Sequence, residues 1–191
     1  GILALQLHAG PPMLVEFKDI RLKTLKENYG QAIRLFNGTD LTGWGFSSER
    51  QKEAWSAKDG GLATKGNPGG YIKTEKPYTN YVLRTQLRHL GKGNGGVLLR
   101  VTGPDKVWPK SIEAQGQFNS IGDIWNIDQF PMKVDPARTN GRHTRKLHPT
   151  NEKSVGQWND YEIYLNKGDM RLIVNSMLQN FATECQEITG P

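Results

Sequence analysis

The sequence contains one cysteine, Cys185, in 191 residues, so an intrachain disulfide and a paired-cysteine metal site are both excluded. It has no run of 18 or more apolar residues, so hydropathy gives no membrane-spanning helix, and no basic-then-apolar stretch opens it as a signal peptide would. A formal charge of +6 raises nucleic acid, acidic glycans and membrane surfaces as partners. No basic helix and no nucleic-acid motif accompanies that charge, and Lys/Arg alternate with Asp/Glu through most of the chain. A solvated mixed surface is expected, with neither nucleic-acid binding nor membrane insertion.

What is present points to strands. The length suits one domain with a sizeable core, and 22 glycines and 10 prolines with only 36% hydrophobic residues fit many short strands and turns better than a helical bundle. Leu3, Leu5 and Leu7 alternate with Ala4, Gln6 and His8, and Ala9-Gly10-Pro11-Pro12 turns the chain into Met13 to Phe17. This predicts a hairpin-like pair with one apolar face, continuing past a bulge through Asp19 to Leu22. Lys23 to Gln31 is polar and fits either a short helix or a linker. Alternation recurs from Tyr78 to Leu90, from Lys110 to Gln115 and from Asp160 to Leu165, with Met170 to Val174 answering the last, and the glycine-rich turn after Leu90 leads into Val97 to Val101. Lys167-Gly168-Asp169 and Asn175-Ser176 are turns. Strands at this spacing with no long helical period predict an all-β sandwich or barrel.

One stretch carries more chemistry than a connection needs. In a strand over Lys110–Gln115, Glu113 and Gln115 share one face while Ile112 and Ala114 point the other way. The loop that follows supplies Asp123, Trp125, Lys133, Asn140, Arg142, Lys146 and His148 within sequence reach of that polar face. The glycine-rich Gly91 to Gly96 lies between two strands and lacks Gly-Lys-Ser/Thr, so it is not a phosphate loop.

Several short elements in joint order resemble the 3-keto-disaccharide hydrolase family, also known as the domain of unknown function 1080. They are Leu35-Phe36-Asn37-Gly38 with Leu41-Thr42-Gly43-Trp44, Trp55 with Asp59-Gly60, Tyr78 to Leu83, Asn94 to Arg100, Ile112 to Gln115, Gly122-Asp123, Gly156 to Asn159 and the terminal strand pair. The resemblance implies a concanavalin-A-like jelly-roll sandwich of two antiparallel sheets, forming one domain over residues 1–191. It also implies a permuted order. Residues 1–24 resemble the family's closing strand pair placed first, 25–31 read as a linker, and 32–191 read as the remainder. Joining Ile188 to Pro191 onto Gly1 to Gln6 restores the family order. Either a true permutation or a cut through tandem copies predicts that residues 1 to 24 pair with the strands near the C-terminus. Exchange of those strands between chains, giving a homo-oligomer, would serve equally.

The chemistry implied is cleavage of glycosides whose ring is oxidised to a ketone at carbon 3. A base removes the acidified carbon-2 proton, the enolate expels the group on carbon 1, and water adds. Glu113, His148 and Lys146 are the candidate catalytic residues; Gln115, Arg100, Asp123, Trp125, Lys133, Asn140, Arg142, Gln6 and His8 are the candidate substrate-binding ones. Several have a plain alternative: an ion pair of Glu113 with Arg100 or Lys146, a solvent-exposed His148, a turn-capping His8, solvated loop charges at Lys133 and Arg142, a packed anchor at Trp125, and a simple turn at Asn140-Gly141. No cofactor is expected. A divalent cation held by Glu113, Asp123 and Asn126 has weak support, because no recurring Asp/Asn ligand loop accompanies them. Trp44, Trp55 and Trp158 are expected in the core or in turn packing. A noncatalytic carbohydrate-binding module and a strand-exchanged assembly domain are the competing functions. The compartment stays open, with the resemblance favouring periplasmic or extracellular.

Overall fold

A computed structural model describes residues 2–7, 13–24 and 31–187. The described residues form two antiparallel sheets packed face to face, with two short 3-10 helices, Glu49–Glu53 and Pro136–Arg138. Strands are numbered in chain order. The first sheet runs β12 (Thr139–Asn140), β13 (His143–Thr144), β11 (Ile124–Ile127), β10 (Lys110–Gln115), β9 (Gly95–Thr102), β1 (Ile2–Leu7), β7 (Gly70–Thr74), β4 (Trp44–Phe46). The second runs β16 (Met177–Ala182), β15 (Asp169–Val174), β14 (Asn159–Asn166), β8 (Tyr81–His89), β2 (Val15–Thr24), β6 (Gly61–Thr64), β5 (Trp55–Lys58), with β3 (Ala32–Arg34) paired to β2. The all-β sandwich that the turn-and-alternation pattern predicts is the observed architecture.

Inward faces from both sheets meet in one core that includes Leu3, Leu5, Leu7, Phe17, Leu22, Leu83, Val97, Ile112, Ala114, Ile163 and Leu172. Burial of each large aliphatic side chain stabilises by roughly 1.5–3 kcal/mol, so the three leucines of β1, each fully buried, make that strand integral to the fold. Trp44 and Trp55 are buried in the same core. Trp158 is half-buried, with the cations of Lys18 and Arg88 4.3 and 4.6 Å from its ring centre.

Residues 1 to 24 depart from two expectations. They do not form a hairpin, because β1 and β2 lie in different sheets. They also do not pair with the strands near the C-terminus. β1 lies between β7 and β9, and β2 between β6 and β8, so β15 and β16 stay on the far side of β14. The physical reason is edge satisfaction: a central position gives each strand hydrogen-bond partners on both sides, where an isolated hairpin would leave two edges open. The bulge foreseen near Asp19 is present, with φ +51° and a register shift between Lys18 and Arg21. Of the polar Lys23 to Gln31 segment, 25–30 lie outside the described residues, as does the join from residue 191 to residue 1.

Candidate functional site

The outward face of the first sheet carries a second, smaller apolar cluster of Ala4, Tyr71, Leu98, Val101 and Ile127, with Trp108 packed against it. β10 runs beside it. Alternation sends Ile112 and Ala114 inward and Glu113 and Gln115 outward, and the register sets Glu113 between Leu98 of β9 and Trp125 of β11. The next outward row is Gln6, Gly96 and Gln115. A Cβ on Gly96 would sit 2.9 Å from Glu113 Oε1 and 3.1 Å from its Cγ, so the missing side chain gives the carboxyl its room.

A cavity of about 170 Å³ opens here, walled by Trp108, Trp125, Gln117, Asn94 and Arg142, with Glu113 and Gln115 on its floor. Glu113 is 6% exposed, and no hydrogen-bond donor or ion-pair partner reaches its carboxyl among the described residues. Burial pushes its pKa up to about 8, opposed by the positive charge of Arg142. Neighbouring polar atoms are open too: Gln6 Nε2 and Asn94 Oδ1 are buried without a partner among the described residues. Gln115 has its Oε1 tied to the N–H groups of Gly116 and Gln117 at 2.9 and 3.0 Å. Buried polar groups without partners are uncommon, and a cluster of them beside a cavity is the signature of a ligand site. From the opposite sheet, Tyr161 donates its hydroxyl to the Gln115 carbonyl at 3.2 Å and braces β10. Burial, then the nearby Asp123 and Glu113 charges, raise the Tyr161 pKa well above the ordinary phenol range.

The loop after β10 builds the outer wall. Asp123 accepts the backbone N–H of Lys146 at 2.9 Å and meets His143 Nε2 at 2.8 Å. His143 stacks on Trp125 with ring centres 4.5 Å apart and an angle of 10° between planes, and the Arg142 guanidinium stands 5.1 Å from the same ring.

The candidate residues thus divide. Glu113, Gln115, Trp125 and Arg142 line one cavity, with Gln6 in the adjacent row and Asp123 behind the wall. Lys146 and His148 do not line it. The Lys146 ammonium, buried to 12% side-chain exposure, is engaged by the Asn119 carbonyl at 2.7 Å and by Glu152 at 3.5 Å. His148 is exposed. Arg100 is also elsewhere: it occupies a bulge with φ +53°, and its guanidinium binds the carbonyls of Lys167, Cys185 and Gln186. The ion pairs considered for Glu113 with Arg100 or Lys146 are therefore not made. Lys133 pairs with Glu184 at 2.6 Å on the surface. Asn140 is exposed beside the turn, and His8 lies outside the described residues. The cation set does not assemble, since the Asn126 amide is engaged by the backbone of Phe130. Among the described residues no three His, Cys, Asp or Glu side chains converge as metal ligands.

Asn94, Trp108, Gln117, Gly96 and His143 were not foreseen. The only sequence signal for His143 is the turn, which lies one residue further on than Asn140-Gly141: Gly141-Arg142 is a two-residue hairpin loop with Gly141 at φ +58°. That placement puts His143 opposite Asn140 and in register with Trp125. A larger cavity of about 480 Å³ lies on the second sheet between Arg84, Asp160, Glu162 and Ser176. Its charged groups are already engaged, Arg84 with Glu162 at 2.5 Å and Asp160 with the Gln86 amide at 2.7 Å.

Comparison with known proteins assigns the chain. The sequence model of the 3-keto-alpha-glucoside-1,2-lyase-like domain matches residues 31–189. The chain belongs to this family. The cavity residues from Asn94 to Arg142 lie inside the matched stretch of the lyase-like domain, whereas Gln6 and the central strands β1 and β2 lie before it. A protein of Bacteroides thetaiotaomicron named 3-keto-disaccharide hydrolase is 25% identical over 172 residues, covering 80% of this chain and 58% of the relative. The chain thus spans somewhat over half the length of that relative. No solved structure matches.

Proposed function

We propose that this domain cleaves 3-keto-glycosides at the Glu113 cavity by removal of the carbon-2 proton, elimination of the group on carbon 1, and addition of water. The carrying observation is the Glu113 carboxyl, buried and without a partner among the described residues, on the floor of a cavity that also holds a guanidinium. The lyase of the family description names the first half of this sequence and the hydrolase of the relative's name its sum, since elimination followed by hydration is net hydrolysis.

Removal of a proton from carbon is served best by a base whose pKa lies near the working pH. A carboxyl with a pKa of about 8 meets that requirement once ionised, because desolvation raises its proton affinity. The ketone at carbon 3 takes up the electron pair from the broken C2–H bond as an enolate, and Arg142 offers the positive charge that such an oxygen needs. Gln115, Asn94 and Gln6 supply the neutral donors and acceptors that hydroxyl groups match.

The test is product analysis over time with a panel of 3-keto-glucosides and their unoxidised counterparts, comparing the native chain with Glu113→Gln. Cleavage restricted to the keto sugars and lost in the variant supports the reading. Sugar binding without cleavage in both proteins overturns it in favour of a binding module, and cleavage that persists in the variant removes Glu113 from its centre.

A further inference from the structure

We propose that His143, oriented by Asp123, is the acid that protonates the departing glycosidic oxygen; this rests on the keto-glycoside reading of the Glu113 cavity. The elimination needs a proton donor as well as a base; Lys146 is held by Asn119 and Glu152, and His148 is exposed outside the row of Glu113. His143 stands just outside the cavity lining and is joined to it through Trp125. Glu113, Trp125 and His143 occupy one cross-strand row on the same outward face, and His143 stacks directly on the indole that walls the cavity. The imidazole is fixed in plane by that stack and in rotation by Asp123 at 2.8 Å.

Asp123 is 6% exposed and both its oxygens are engaged, one by His143 and one by the Lys146 N–H. A carboxylate only accepts hydrogen bonds, so Nε2 of His143 carries the hydrogen that points to it, and Nδ1 is left as the atom that gives and takes a proton. Nδ1 has no partner among the described residues, and the side chain is 28% exposed, open to an incoming ligand. A buried carboxylate that holds a partly open imidazole in one orientation and one tautomer is the arrangement used to position a proton-transferring histidine.

The protons balance over the cycle. Glu113 takes the carbon-2 proton, and the C2–H pair moves into the enolate. The enolate then re-forms the ketone with a new C1=C2 double bond, and the C1–O pair leaves with the oxygen, which takes the Nδ1 proton of the His143 imidazolium. In the return half, neutral His143 accepts a proton from the water that attacks carbon 1, and Glu113 gives its proton back to carbon 2. Both groups end as they began, with no redox partner needed.

The experiment uses His143→Gln and His143→Asn with two 3-keto-glucosides, one with a 4-nitrophenyl leaving group, which departs as a stable anion, and one with a methyl leaving group, which needs a proton. Exchange of the carbon-2 hydrogen in deuterated water reads the base step separately. The expected result is a loss of at least about 100-fold in kcat/KM on the methyl substrate, against less than about 10-fold on the nitrophenyl one, with carbon-2 exchange retained. Asp123→Asn, which keeps the shape of the positioning residue and removes its charge, shows the same selectivity at smaller size. Equal losses on both substrates in both His143 variants, or no loss on either, overturn the acid role even where Glu113-dependent exchange persists. Absence of both cleavage and exchange in the native chain overturns the Glu113 reading, and this proposal with it.

Discussion

Glu113→Gln tests the site through stability as well as through activity. The carboxyl titrates near 4.5 in the unfolded chain and at about 8 in the folded one, because burial beside Leu98, Trp108 and Trp125 strips water from its ionised form. Between those two values the folded chain retains a proton that the unfolded chain has released. Stability therefore falls as pH rises through that window and levels off above it. Each tenfold change in proton affinity corresponds to about 1.4 kcal/mol, so the penalty of holding the ionised carboxylate above pH 8 is on the order of 5 kcal/mol. Glutamine keeps the shape and has no titration. The assay is urea unfolding of both proteins at about pH 5, 7 and 9. The difference between them should change by several kcal/mol in favour of the variant as pH rises, while cleavage of keto-glycosides is lost at every pH. Parallel stability profiles, to within about 1 kcal/mol, would refute the argument that burial sets this carboxyl's proton affinity.

Gly96→Ala should strain the β9–β10 pairing and push the Glu113 carboxyl aside, since the new Cβ meets both Oε1 and the Ala114 carbonyl at 2.9 Å. The expected result is a fall in kcat/KM together with roughly 1–3 kcal/mol of lost stability from overpacking, read by steady-state kinetics and urea unfolding. Ser176→Gly should stabilise the Asn175-Ser176 turn, where both residues hold positive φ, +46° and +67°. Relief of left-handed strain offsets the extra entropy of glycine to give about 0.5–1 kcal/mol, seen as a small rise in melting temperature with unchanged kinetics. Arg100→Met should leave the carbonyls of Lys167, Cys185 and Gln186 without their donor. A loss of about 3 kcal/mol is expected for breaking a buried charged network, with faster amide exchange around Gly168 and Cys185 and normal turnover per folded molecule.

The site was only partly legible in the sequence, and the residues show why. Glu113 and Gln115 could be placed together because a strand's two-residue period alone fixes that, and the apolar partners Ile112 and Ala114 confirm which face is buried. Arg100 sits in an apolar strand, Val97 to Val101, yet a bulge at its own position turns its side chain away to three carbonyls. Local pattern cannot reveal a bulge that only the partner strands make visible. Lys146 and His148 are close to the cavity along the chain but outside it in space, because the loop is anchored through Asp123 and Glu152. A one-residue change in where the turn falls decides that His143 joins the row of Trp125.

The sequence by itself determined the class of fold, the core-facing residues of its longer alternating strands, and the family, because periodicity, turn residues and short ordered motifs are local properties. Tertiary structure alone decided which strands are neighbours. It placed β1 and β2 at the centres of two different sheets instead of in a hairpin, since only there are both edges of each strand hydrogen-bonded. It also decided which polar residues share a cavity. Glu113 owes its unusual proton affinity to burial among Leu98, Trp108 and Trp125, which strand register brings together, while Arg142 opposes the shift.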